Sequence, residues 1–186
     1  MVESVKNQSY ANWELLLVNA SPDNQELKAR VEQETARDNR IKSIILTENK
    51  GISENTNAGV AVASGDFVSF FDHDDILEPD LLFSMPRQLK TMITLIFFIA
   101  MKTNSCPMES WHSRSLNRIS ISIYSEIITI YATCYHRKSL LDTLQPNTKE
   151  FDGAQDHNLT LRAVEKARNV HHVAKVLYHW RLSETS

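Results

Sequence analysis

Three carboxylates stand together where an apolar run ends: Gly65-Asp66-Phe67-Val68-Ser69-Phe70-Phe71 leads straight into Asp72-His73-Asp74-Asp75. A strand that delivers acidic side chains at its carboxyl end is the usual geometry of a ligand site in an open α/β sheet. Two carboxylates about 4 Å apart repel by roughly 4 kcal/mol at an effective dielectric near 20, so they stay ionised together only where a metal ion or a basic group compensates. Hard oxygen donors at this density suit Mg2+ or Mn2+, which keep coordination positions open for substrate phosphates. The alternative is a solvated turn, because Asp-rich turns are common after strands.

For the cluster to be a site, the chain before it must build the sheet. Met1 to Tyr10 reads as the end of a polar helix, and Trp13 to Val18 as a short apolar strand entering the turn Asn19-Ala20-Ser21-Pro22-Asp23. Asp23 to Arg40 is polar and rich in helix formers, with Leu27, Val31 and Thr35 as its inward stripe. Ile41 to Leu46 is the next strand. After Asn49-Lys50-Gly51, where glycine permits an unusual backbone, Ile52 to Ala63 reads as a helix closed by Ser64-Gly65, and Phe67 to Phe71 as a strand. Strand, helix, strand, helix, strand with short connections predicts a mainly parallel sheet in a three-layer α/β/α arrangement. Further on, Phe151 to Ala154 is loop-like, Gln155 to Ala167 is helical with Leu159, Leu161 and Val164 as apolar positions, and Val170 to Trp180 is extended.

Composition narrows the field. The length suits one domain with a real core. With 20 basic and 23 acidic residues the net charge is −3, so no basic surplus points to a nucleic-acid partner. The two cysteines, Cys106 and Cys134, have neither the spacing nor the density of a disulfide scaffold, and a reducing compartment is expected. Met92 to Met101 is the most apolar window and is well short of the roughly 20 residues of a spanning helix. No amino-terminal export pattern is evident. A soluble chain is expected, with peripheral membrane association left open.

Four blocks, in this order, resemble the family 2 glycosyltransferases, inverting enzymes with a GT-A nucleotide-sugar-binding fold. They are Ser4-Val5-x-x-Gln8-x-Tyr10-x-x-Trp13-Glu14-Leu15; Asn49-Lys50-Gly51-Ile52-Ser53 with Asn57 and Gly59; Ala63-Ser64-Gly65-Asp66 through Asp75 with Pro79; and Asp152-Gly153-Ala154-Gln155-Asp156 running to Lys175-Val176-Leu177-Tyr178-His179-Trp180-Arg181. The resemblance implies that Asp72-His73-Asp74 is an Asp-x-Asp motif, whose acidic groups hold Mn2+ or Mg2+ against the diphosphate and ribose of a nucleotide-diphosphate sugar. Asp74 is then the leading metal ligand, with Asp75 beside it and His179 as a further candidate. Asn19, Asp23, Lys50, Asn57, Asp72 and Arg181 are expected on the nucleotide-sugar side. Asp156 is expected as the general base that takes a proton from an acceptor hydroxyl as it attacks the anomeric carbon. Read without the other blocks, Asp156 is equally a helix-start charge stabilised by the dipole, His179 a structural histidine, Lys50 a solvated loop charge and Asn57 a surface amide. The implied acceptor is a glycan or lipid-linked molecule. Because members commonly build surface polysaccharide, the implied location is cytoplasmic, at the inner face of a membrane.

Three departures from the family pattern accompany the likeness. The chain is expected to start after the family's first strand. Asn19-Ala20-Ser21 stands where many members carry consecutive aspartates. Residues 84–130 lack the turn signals of the other elements, and read one base out of register Phe98 to Asn104 could encode Tyr-Ser-Asp-Glu-Asp-Lys, a run that many relatives show after the acidic block. The expectation is thus one glycosyltransferase domain over 1–186 with an aberrant segment at 84–130 produced by a frame slip. Two other functions stay in view. One is an inactive remnant that at most binds nucleotide or metal. The other is a metal-dependent phosphohydrolase, disfavoured by the absence of a nucleophile-like Asp followed by a dedicated Lys.

Overall fold

In the computed structural model, residues 1–84, 95–99, 102–105, 134–173 and 175–181 are described. The chain gathers into two compact units: residues 12–68 with 137–166, and residues 1–11 and 69–136 with 167–186.

The first of these units begins with strand β1 (Leu15–Asn19), helix α2 (Gln25–Arg37) and strand β2 (Ile41–Ile45), preceded in the chain by helix α1 (Val2–Lys6) of the other unit. Strands β1 and β2 pair in parallel from Leu15↔Ile41 to Asn19↔Ile45, as two apolar runs joined by a helix must. The Asn24 side chain accepts the Leu27 N–H at 3.0 Å and starts α2. The inward face of α2 is Val31 and Glu34, whereas Leu27 is 39% exposed. The expected stripe is therefore shifted: Leu27 lies in the first turn, beyond the cover that Val31 reaches. Helix α3 (Ile52–Val62) and strand β3 (Phe67–Ser69, whose last residue belongs with the second unit) follow. Strand β3 stops two residues before the expected Phe71. Short helix α5 (Lys138–Leu141), a 3-10 turn at Lys149–Phe151 and helix α6 (Gln155–Lys166) complete the unit. Its buried apolar residues are Val31, Ile41, Leu140, Leu141, Leu159 and Ala163. On α6 the inward positions are Leu159, Thr160 and Ala163, while Leu161 turns outward at 37% exposure.

The second unit holds α1, strand β4 (Ile76–Leu77), helix α4 (Leu81–Ser84), strands β5 (Leu95–Ile99), β6 (Lys102–Ser105) and β7 (Cys134–Arg137, whose last residue belongs with the first unit), then β8 (Asn169–Val173) and β9 (Tyr178–Arg181). The region expected to be one extended run, Val170 to Trp180, is two strands. They sit in different sheets, β8 parallel to β5, which also pairs with β7, and β9 between β4 and β6. Val5, Leu77, Leu81, Tyr135, Val173 and Leu177 are buried here. Gln8 ties the unit's start to its middle: its amide donates to Glu78 O at 2.7 Å and Ser4 O at 3.0 Å, and its carbonyl accepts the Leu82 N–H at 3.0 Å. His136 is 1% exposed, and burial pushes its imidazole down to about 4, so it packs neutral.

Most of the segment expected to be aberrant, 84–130, lies outside the described residues; within it, Leu95–Ile99 and Lys102–Ser105 are strands. Among the described residues no helix is long and apolar enough to cross a membrane.

Candidate active site

The acidic turn belongs to the second unit. The Asp75 N–H donates to Asp72 O at 3.2 Å and closes it. Asp72 and His73 are exposed, Asp74 is half-buried, and Asp75 is 0% exposed. A fully buried carboxylate costs several kcal/mol unless hydrogen bonds compensate. Here the Tyr178 hydroxyl donates to Asp75 Oδ2. Antiparallel pairing of β4 with β9, Leu77↔Tyr178 and Ile76↔His179, is what delivers this tyrosine across about a hundred residues of sequence. Its ring also meets Phe71 edge-on, centroids 5.7 Å apart at 74°. Burial, then the bond to Asp75 and the charges of Asp72 and Asp75, push the Tyr178 phenol well above its ordinary range, so it remains a donor.

His179 is the next residue on β9, and its Nε2 lies 2.6 Å from Glu78 Oε1. Glu78 in turn donates its N–H to Leu177 O at 2.9 Å. Arg181 closes β9, and its side chain lies outside the described residues. Among the described residues no group of three or more His, Cys, Asp and Glu side chains is disposed to hold a metal ion.

The first unit places the other candidates. Asn19 ends β1, 4% exposed; its Oδ1 accepts the Ser21 N–H at 2.8 Å, while its Nδ2 is buried with no hydrogen-bond partner among the described residues. Asp23 is exposed in the turn that follows. Lys50 is exposed, 3.5 Å from Glu48. Asn49 Oδ1 accepts both the Gly51 N–H at 3.1 Å and the Asn55 amide at 2.9 Å, which shapes the loop before α3. Gly51 takes φ +98°, and a Cβ there would lie 2.6 Å from Asp152 Oδ2. That approach has a purpose: Asp152 Oδ1 accepts the Ser53 N–H at 3.1 Å, capping α3 from 99 residues away. The same loop turns through Gly153 at φ +90° into α6, where Asp156 is exposed in the first turn with Oδ1 2.7 Å from the His157 N–H.

Asn57 is drawn elsewhere. It exchanges two hydrogen bonds with the backbone of Asn147, donating to its O at 2.8 Å and accepting its N–H at 2.9 Å. Arg162 holds the Asn147 side chain at 2.8 Å and also donates to Gln145 O.

Several residues with structural weight around these candidates were in the matched blocks without an assigned role. Glu14 accepts the Ser64 N–H at 2.5 Å, the Ser64 hydroxyl at 2.9 Å and the Gly65 N–H at 3.1 Å, and pairs with Lys42 at 2.6 Å. Burial would raise its carboxyl, but the bonds from Lys42 and Ser64 and the Lys42 charge outweigh that and hold it at about 2. Gln8, Asp152 and Tyr178 are the others. For Glu14 and Asp152 the available signal was a charge flanked by apolar or glycine residues; Gln8, between Asn7 and Ser9, and Tyr178, between Leu177 and His179, carried none.

Comparison with known proteins adds four findings. The sequence model of a family described as "Glycosyl transferase family 2" matches residues 1–148. An O-antigen biosynthesis protein of Myxococcus xanthus is 27% identical over 182 residues, which cover 96% of this chain and 14% of that protein. Among solved structures, S. aureus TarS 1-349 in complex with UDP superposes with a TM-score of 0.76 at 20% identity, over 98% of this chain and 56% of that one. A mannosyltransferase from Pyrobaculum calidifontis in complex with GDP-Man and Mn2+ gives 0.70 at 12% identity, over 98% and 52%. The fold is thus that of the GT-A glycosyltransferases.

Proposed function

We propose that this chain, which belongs to glycosyl transferase family 2, transfers a sugar from a nucleoside-diphosphate sugar to a glycan or lipid-linked acceptor, with inversion at the anomeric carbon. The observation that carries the reading is the Asp152 cap on α3. It joins the Asn49-Lys50-Gly51 loop to the start of α6, so Lys50, read as nucleotide-side, and Asp156, read as the base, share one local frame.

In this reading the acceptor hydroxyl gives its proton to Asp156 as its oxygen attacks, and the carboxylate needs the exposure it has to meet that acceptor. Asn19 stands at the carboxyl end of a parallel strand, where open α/β sheets bind ligands, with a buried amide nitrogen that has no partner among the described residues. Lys50 supplies positive charge on the diphosphate side.

The acidic turn fits a divalent cation by the chemistry of its donors. Mg2+ and Mn2+ are commonly held by one or two carboxylates and completed by substrate phosphates, and Asp72 and Asp74 are the two carboxylates of the turn that reach solvent. A cation there would neutralise the departing diphosphate as a Lewis acid. The named complexes of the structural neighbours, with UDP and with GDP-Man and Mn2+, support the donor class. The role of the Myxococcus xanthus relative in O-antigen biosynthesis supports a glycan acceptor.

The test is to incubate the chain with Mn2+, UDP- and GDP-sugars and lipid-linked or soluble glycan acceptors. Acceptor-dependent release of nucleoside diphosphate, with an inverted anomeric proton in the product by NMR, is expected. Metal-dependent nucleotide binding without any transfer would instead identify a non-catalytic remnant.

A further inference from the structure

The acidic turn is held from behind. Of its three aspartates, Asp75 points into the protein and is fully buried, with its carboxylate on the Tyr178 hydroxyl. Asp72 and Asp74 stay at or near the surface. A carboxylate buried at this depth is costly, and an apolar side chain of similar volume would fill the same space without the penalty. What the carboxylate adds is direction. A charge-assisted hydrogen bond to a phenol fixes one end of the turn relative to a strand, where an apolar contact would let it slide.

The tether is needed because of the charges. Like charges within four residues repel, and opening the turn, which the 3.2 Å bond from Asp75 N–H to Asp72 O helps to close, relieves that repulsion. Tyr178 opposes opening at two points. Its hydroxyl grips Asp75 at the carboxyl end of the turn, and its ring packs edge-on against Phe71 just before the amino end. Both grips come from β9, a strand itself fixed by pairing to β4 immediately after the turn. One side chain therefore spans the turn from entry to exit.

We propose that Tyr178 is a positioning residue for cation binding, acting through Asp75 as a buried strut, so that Asp75 orients the turn and does not ligate the metal. The inference rests on the metal reading of the turn given above. It differs from the sequence expectation that Asp75 assists Asp74 directly.

The experiment is a Mn2+ titration in the presence of UDP, with free Mn2+ read by its EPR signal, on the full chain and on Tyr178→Phe, Asp75→Asn and the double variant. Circular dichroism checks that each is folded at the temperature used. Losing an outer-shell partner typically weakens metal binding about 10–100-fold, and that is the loss expected for Tyr178→Phe. Asp75→Asn keeps an acceptor for the hydroxyl but removes the charge, so it should weaken binding by no more than Tyr178→Phe, and the double variant no further than the worse single one, since both act on the same tether. A Tyr178→Phe chain that binds Mn2+ within about twofold of the parent would overturn the positioning role, even if its melting midpoint fell. Abolished binding in Asp75→Asn alongside near-parental binding in Tyr178→Phe would make Asp75 a ligand. A parent chain that binds no Mn2+ with or without UDP would overturn the metal reading itself, a different outcome from the other two.

Discussion

Glu14 shows how much one side chain in a matched block can hold. Its carboxylate anchors the turn between α3 and β3 through Ser64 and Gly65 and neutralises Lys42 on β2. Its folded pKa is held at about 2, below the ordinary 4.5. A carboxyl depressed by folding stabilises the protein above its unfolded pKa and loses that contribution as the pH falls through the folded value. Stability on the order of 2–3 kcal/mol should therefore be present above about pH 4.5 and fade between there and about pH 2. Glu14→Gln should remove most of it at neutral pH and flatten the acid limb of a urea-denaturation series. An unchanged acid limb would mean that the Ser64 and Lys42 contacts contribute nothing net. At Gly51, a substitution to Ala meets both φ +98° and a 2.6 Å approach to Asp152. It should destabilise by more than about 1 kcal/mol, and parental stability in denaturant would show that the loop relaxes freely.

At the scale of elements, α3 is the helix on which the site reading depends, and its own residues cap it poorly. Gly51 sits at the N-cap without a side chain, and Asp152 supplies the acceptor from elsewhere in the chain. Asp152→Ala should cost about 1 kcal/mol, within the usual 0.5–2 kcal/mol of a lost N-cap. Because the same residue joins α3 to the loop before α6, transfer should fall more steeply than stability. Equal, small losses in both would reduce Asp152 to a cap. Asn57 makes the contrasting case. Its side chain pairs with the Asn147 backbone, so Asn57→Ala is expected to destabilise by about 1–3 kcal/mol through unpaired backbone groups.

Over the whole molecule, what was legible in the sequence follows from the length of the signals. Strands β1 and β2 and helices α2, α3 and α6 carried long apolar or polar runs and lie within a few residues of expectation. Strand β3 ended early because Phe70 and Phe71 leave the sheet to pack beside His136 and Tyr178, contacts made by residues far along the chain. The candidate residues could be named from their types and order, yet their partners were hidden. Nothing local to Asp75 announces Tyr178, and nothing local to Gly51 announces Asp152. The inward stripe was misjudged at Leu27, where helical spacing alone does not say how far a neighbour's cover extends. If the chain binds nucleotide with Mn2+, saturation to about a hundred times the Kd should stabilise it by roughly 2.7 kcal/mol and raise the melting midpoint by about 5–10 °C. No shift with UDP or GDP would count against nucleotide binding by this chain.

The central claim is that metal and nucleotide binding and proton removal belong to different aspartates, and Asp156→Asn measured for both properties tests it most directly. The expected result is transfer reduced by about 10²–10⁴-fold, with Mn2+-dependent UDP binding within about twofold of the parent, while Asp74→Ala loses both. Transfer by Asp156→Asn at the parental rate would contradict the account.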